Sequence, residues 1–267
     1  MKTVKELMNL TARVGLITGG AGHLGYAIAE ALAEAGADIC LLDIDYKRCK
    51  KKAALLKKRF SVTVVPLEVD LSDDSAIKQV PPFIAKQFRR LDILINAAAL
   101  VGTSDLEGWA VPFEKQSIDT WRSAMDVNLT AVFALTQACA CLLKKSGKGT
   151  VINIGSIYGI VAPDMHLYEG TKLGNPAAYA ASKAGLIQLT RWLAANMCPH
   201  VRVNAISIGG VFRGHKDPFL SRYNQRTLLG RMAREQDIKG AALYLASDLS
   251  LYVTGHNLVV DGGWTVI

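Results

Sequence analysis

Val14-Gly15-Leu16-Ile17-Thr18-Gly19-Gly20-Ala21-Gly22-His23-Leu24-Gly25 is the stretch whose reading decides the fold. A short apolar run, Val14 to Thr18, enters a glycine cluster, and Tyr26 to Gly36 then reads as an Ala/Leu/Glu helix closed by a C-cap glycine. Strand, glycine turn and helix, in that order, is the context in which Gly20-x-Gly22-x-x-Gly25 marks a dinucleotide site and not a bare βα turn. The glycines let the backbone approach a pyrophosphate. The helix N-terminus adds N–H groups and the positive end of its dipole.

Outward from this stretch the chain alternates. Ala37 to Asp43 is a second apolar strand and ends in Asp43-Ile44-Asp45. An acid about 20 residues past the glycines is placed to accept hydrogen bonds from an adenosine ribose. Its charge would repel the 2′-phosphate of NADP, and neither Gly22 nor Ile44 offers a compensating cation. NAD is the expected cofactor and NADP the lesser alternative, unless Asp43 only caps a strand end. Val62–Val69, Leu91–Asn96, Thr150–Ile154, Val201–Ile206 and Asn257–Val260 read as further strands. Asp73–Phe88 (interrupted by Pro81-Pro82), Trp121–Lys145, Tyr179–Cys198 and Ile238–Ser247 read as helices. Such alternation predicts an α/β fold of Rossmann type, a doubly wound parallel sheet with helices on both faces. With no linker, repeat or low-complexity tract, residues 1–267 are expected to form one domain.

Half of the 267 residues are hydrophobic and a fifth charged, an ordinary globular composition. Met1–Leu10 lacks the apolar core of a signal peptide, and no apolar run is expected to approach the ~18 residues of a membrane span. Five cysteines without metal spacing suggest free thiols, a reducing cytoplasm and no metal site. Net charge is +8, much of it in Lys47–Arg59, which holds eight Lys or Arg around Ala53, Ala54, Leu55 and Leu56. That run reads as a solvated helix face. Without aromatic interleaving or a recognisable module, no nucleic-acid partner is expected.

Tyr179-Ala180-Ala181-Ser182-Lys183 places a phenol and an ammonium four apart, on one helix face. A free tyrosine titrates near ~10, and a neighbouring cation lowers that value toward useful acid–base chemistry. Chance also places such pairs on many helices, so the reading depends on the rest of the chain.

The rest resembles the short-chain dehydrogenase/reductases, from about Ala12 to Trp264. Thr18-Gly19 through Gly25 is similar to their nucleotide turn, Asp70-Leu71 to their adenine-contacting pair, and Asn96-Ala97-Ala98-Ala99 to their Asn-Asn-Ala-Gly stretch. Asn128, Ser156, Tyr179 and Lys183 match their catalytic tetrad, and Val260-Asp261-Gly262-Gly263 their last strand. The resemblance implies a secondary alcohol exchanged with a ketone by hydride transfer. Tyr179 would be the acid–base, Lys183 would lower its pKa and hold the nicotinamide ribose, and Ser156 would bond the substrate oxygen. Asn128 would hold a water linking Lys183 to solvent. Cofactor contacts are implied at Gly19, Gly22, His23, Leu24, Gly25, Asp43, Ile44, Asp70, Leu71, Asn96, Ala97 and Ala98, and at Gly209 and Val211. A homotetramer is implied, joined through the helices at Trp121–Lys145 and Tyr179–Cys198.

The chain also departs from the family. His23 stands where Gly or Ala is usual, and either faces the pyrophosphate or covers the turn. Ala97 and Ala99 replace Asn and Gly, Ile208 replaces a proline, and Arg213 replaces a threonine that often contacts the carboxamide. Ser156 and Tyr179 lie 23 apart, a longer spacing than usual. The intervening Tyr158, His166, Tyr168, Glu169 and Asn175 suit a polyhydroxylated ligand. This insertion, about 157–178, resembles the branch found with flagellin modification and legionaminic-type sugar biosynthesis. The expected substrate is therefore a sugar or amino-sugar derivative. The alternatives are a general ketoreductase of the 3-oxoacyl carrier-protein or gluconate type, and a non-catalytic NAD-binding protein.

Overall fold

The computed structural model describes residues 1–267. In chain order the elements of the first half are α1 (Val4–Met8), β1 (Val14–Thr18), α2 (His23–Glu34), β2 (Asp38–Asp43), α3 (Tyr46–Arg59), β3 (Val64–Glu68), α4 (Asp74–Lys78), α5 (Val80–Phe88) and β4 (Ile93–Asn96). The second half contributes α6 (Ile118–Met125), α7 (Ala131–Lys145), β5 (Gly149–Ser156), α8 (Ala177–Met197), β6 (Val201–Ile208), α9 (Phe219–Arg226), α10 (Glu235–Ala246) and β7 (Asn257–Val260). All seven strands are parallel in the order β3-β2-β1-β4-β5-β6-β7. The strand order reverses between β1 and β4, where Gly15 pairs with Ile93, and a crevice opens at the strands' C-terminal ends there.

Alternation along each strand builds two cores. Ile17, Ile39, Leu41, Ile93 and Ile95 face α2, α3 and α10, while Leu16, Cys40, Leu42, Leu94 and Val151 face α5, α7 and α8. On α3 only Cys49, Ala53 and Leu56 are buried, at helical spacing, so the basic run Lys47–Arg59 is the solvated face that the sequence suggested.

Among the differences from expectation, three have plain physical reasons. Helix α2 starts at His23, three residues early, because Gly25 belongs to its first turn: a Cβ there would lie 2.2 Å from the Gly19 carbonyl oxygen. Pro81 and Pro82 open α5 without breaking it, since first-turn N–H groups need no helical acceptor. The expected helix Trp121–Lys145 is α6 and α7 joined by a π-turn, Asp126–Thr130. The whole stretch Ile118–Lys145 is long and apolar enough to cross a membrane, against the expectation that no apolar run approaches that length. In the fold it lays Ala131, Leu135, Cys139 and Leu143 into the second core.

Candidate active site

The glycine turn is held by close approach. Gly19 has φ +60°, and a Cβ on it would lie 2.9 Å from the Cα of Ala98, at the exit of β4. The Gly22 N–H donates to the Gly19 carbonyl at 2.9 Å, and Gly22 N-caps α2 with no side chain over the helix end. The first-turn N–H groups of His23, Leu24 and Gly25 accordingly have no protein acceptor. An uncapped helix start behind a glycine turn fits the pyrophosphate of a dinucleotide. The His23 ring turns outward, its Nδ1 3.4 Å from Glu235 Oε1, and so covers the turn; the backbone N–H remains for the phosphate.

Asp43 ends β2. Its Oδ2 accepts from the Ala21 N–H at 3.0 Å and its Oδ1 from the Asp45 N–H at 3.2 Å, so it braces the glycine turn and keeps lone pairs for a ribose. Ile44 beside it is exposed. Asp70 lies past β3, its Oδ1 accepting from the N–H and hydroxyl of Ser72, and Leu71 packs on the second core. Asn96 ends β4. Its side chain is buried and donates to Asn153 Oδ1 at 2.8 Å, and Asn153 donates to Thr190 at 2.9 Å. It ties β4 to β5 and α8 and presents no side-chain atom to a cofactor. The N–H groups of Ala97 and Ala98 both donate to Thr18 Oγ1, at 3.0 and 3.1 Å, leaving carbonyls and methyls toward the crevice.

Tyr179 and Ser156 line one cleft of about 190 Å³ together with Leu24, Gly209 and Val211. Ser156 ends β5 and is buried, its Oγ accepting from the Tyr158 N–H at 3.2 Å. Burial pushes the Tyr179 phenol above its ordinary pKa; the neighbouring Ser156 hydroxyl opposes this, Tyr168 adds to the rise, and the Arg213 cation lowers it. Lys183, one turn on, is only 3% exposed, and burial brings its ammonium down to about 8. Its Nζ donates to the Ile154 carbonyl at 2.8 Å and lies 5.8 Å from the Tyr179 ring centre. Two cations thus stand near the phenol, Arg213, whose charge lowers its pKa, and the Lys183 ammonium one turn away.

Asn128 sits in the π-turn, and its side chain is largely committed. Oδ1 accepts from the Leu100 N–H at 2.7 Å, while Nδ2 donates to the Leu100 carbonyl at 3.0 Å and to Ser182 Oγ at 3.1 Å. Both amide hydrogens are used, so the side chain pins the loop after β4 to α8.

The 157–178 insertion docks on α9. Arg222 donates to the carbonyls of His166 and Glu169 at 3.0 and 2.6 Å, and Leu167 packs with Phe219 and Tyr223. Tyr158, Tyr168 and Asn175 reach the cleft, and the two tyrosine hydroxyls are 3.1 Å apart. His166 and Glu169 do not: they pair with each other at 2.8 Å in solvent. Sequence reasoning missed α9, whose Phe219 and Tyr223 form part of the cleft wall. Their i, i+4 aromatic spacing was the available signal.

Switch-point crevice, uncapped glycine turn and the Ser156–Tyr179 pair define a nucleotide-dependent oxidoreductase of one family. The chain belongs to the short-chain dehydrogenase/reductases: a family profile described as Enoyl-(Acyl carrier protein) reductase matches residues 19–265. Sorbose reductase of Candida albicans is 31% identical over 267 residues, covering 98% of this chain and 90% of that one. Post-translational flagellin modification protein A of Campylobacter coli is 26% identical over 257 residues, covering 96% and 99%. Among solved structures, the NADPH-dependent 3-quinuclidinone reductase of Rhodotorula rubra superposes with a TM-score of 0.88 at 31% identity, covering 100% of this chain and 96% of that one. Relatives as a group span sugar and polyol dehydrogenases and ketoreductases.

Proposed function

We propose that the chain interconverts a secondary alcohol and a ketone on a sugar or amino-sugar derivative, with NAD preferred over NADP. The observation that carries this reading is the cleft itself, where the Tyr179 phenol and the Ser156 hydroxyl meet a wall of tyrosines and Asn175 supplied by the insertion. When bound, the nicotinamide accepts or supplies the hydride. Tyr179 takes the alcohol proton as the carbonyl forms and returns it in the reverse direction. Ser156 donates to the substrate oxygen as charge develops there. Lys183 supplies a buried ammonium toward the nicotinamide ribose, and its low pKa suits it to passing a proton. Asn128 is a positioning residue that holds the loop after β4 against Ser182.

Asp43 supports the NAD preference. Its carboxylate is anchored at the adenosine end of the crevice, and exposed Ile44 beside it brings no positive charge. Exposed Trp121 and Trp192, on α6 and α8, support a tetramer joined through these helices. All five cysteines are free, as a reducing compartment would keep them. The test is turnover on a panel of sugars, amino sugars and polyols with NAD, beside acyl thioesters with NADPH. Oxidation of hydroxylated substrates with NAD is expected. Activity confined to acyl thioesters with NADPH would replace this reading with a carrier-protein ketoreductase.

A further inference from the structure

Cleft walls built by the insertion and by the segment after β6 carry a charge pattern that a neutral polyol does not need. No aspartate, glutamate or lysine lines the cleft. One permanent cation does, the Arg213 guanidinium, and it forms no hydrogen bond or ion pair within the protein; only the Arg213 main-chain N–H is engaged, donating to His215 Nδ1 at 3.2 Å. Glu235 is the one carboxylate whose field reaches Arg213, and it lies against His23 instead, 3.4 Å from that ring. Burial and the Arg213 charge both lower the His215 pKa, so this ring stays neutral at physiological pH and packs on Phe219 with centroids 5.2 Å apart. Across the cleft, Asn175 Oδ1 is the one buried side-chain oxygen or nitrogen in the molecule without a hydrogen-bond partner. An orphaned buried acceptor of this kind costs stability unless a ligand donor meets it.

We infer that the substrate is a polyhydroxylated carboxylate, a sugar acid, whose carboxylate pairs with Arg213 while one of its hydroxyls donates to Asn175 Oδ1. On this inference the carboxylate meets Arg213, the reacting carbon Tyr179 and Ser156, and the remaining hydroxyls Tyr158, Tyr168 and Asn175, all of which line the one cleft. Guanidinium suits this role because its planar fork matches a carboxylate in a bidentate pair. The same charge also favours the phenolate of Tyr179, so Arg213 couples recognition to the acid–base group. In the oxidation, the reacting C–H gives its hydride to NAD, the O–H gives its proton to Tyr179, and the carboxylate is unchanged.

This inference rests on the sugar-directed reading above, and the test separates the two. Matched aldonates and alditols of four to six carbons, such as D-gluconate against D-glucitol, are assayed with NAD. The expected result is a preference for the acids of at least about tenfold in kcat/KM. Arg213→Met then raises KM for the acids about 10- to 100-fold relative to the alditols, while any fall in kcat through the Tyr179 phenol is shared by both classes, and Arg213→Lys recovers part of the KM loss. The thermal shift given by NAD stays as in the unmodified protein. Equal rises in KM on acids and alditols, or a reduced NAD shift in Arg213→Met, would assign Arg213 to general packing or to the cofactor's phosphates and overturn the inference, with the reading intact. Turnover of no polyhydroxy compound, acid or neutral, would remove both.

Discussion

At Tyr179 burial and charge act against each other. Burial favours the neutral phenol, and the groups that oppose it are Ser156 and Arg213. Lys183 is itself displaced, with its pKa brought from 10.5 to about 8. Between those values an unfolded chain holds a proton that the folded chain has released. Stability therefore rises with pH across that window, and the buried ammonium is a liability below it. The swing is about 3 kcal/mol at most. Lys183→Met should flatten the rise in urea midpoints measured across the window, and should unfold later than the unmodified protein at neutral pH while losing turnover. An unchanged slope would mean that Lys183 is better solvated than its burial implies. Asp43 offers a second test at this scale. NAD should raise the melting temperature more than NADP does, and Asp43→Ala should narrow the gap. Equal shifts from the two nucleotides in the unmodified protein would end the argument from the carboxylate.

At the scale of elements, the segment most open to test is the insertion and its clasp. Arg222 on α9 holds two of its carbonyls from an exposed position. Arg222→Ala should therefore raise substrate KM about tenfold and move the melting temperature by only a few degrees, with NAD affinity unaffected. A KM equal to that of the unmodified enzyme would show that the insertion holds its place without the clasp. The periodic elements were legible from sequence, because strands with alternating Ile and Leu, and helices such as α3 with Cys49, Ala53 and Leu56 inward, announce their faces. Helix α9 was not, because its eight residues hold only Phe219, Leu220 and Tyr223 as apolar positions among Ser, Arg, Asn and Gln. Asn96 and Asn128 were found by position, but the partners of their side chains were not legible. Spacing along the chain does not reveal that Asn153 and Leu100 await their amides across the fold. His166 and Glu169 carried suitable chemistry and point to solvent, which only the path of the insertion decides.

Taken whole, the molecule is a parallel sheet that gathers its chemistry at one edge. Thr18, Asp43, Asn96, Ser156 and Ile208 are all strand C-terminal residues, and the crevice they border is where β1 and β4 part. The opposite, outward faces of α6 and α8 carry Trp121 at 37% and Trp192 at 53% exposure, large rings for a monomer to leave in water. Light scattering should return four times the 28.8 kDa chain mass, and Trp192→Glu should lower it. A monomer at micromolar concentration would contradict the proposed assembly and leave the site untouched. The central claim is that hydride transfer in this chain depends on proton exchange at Tyr179, and Tyr179→Phe tests it most directly, because the ring stays and only the hydroxyl goes. The account predicts turnover lower by about 10²–10⁴-fold, with the NAD-induced rise in melting temperature retained. Turnover within a few-fold of the unmodified enzyme would contradict it.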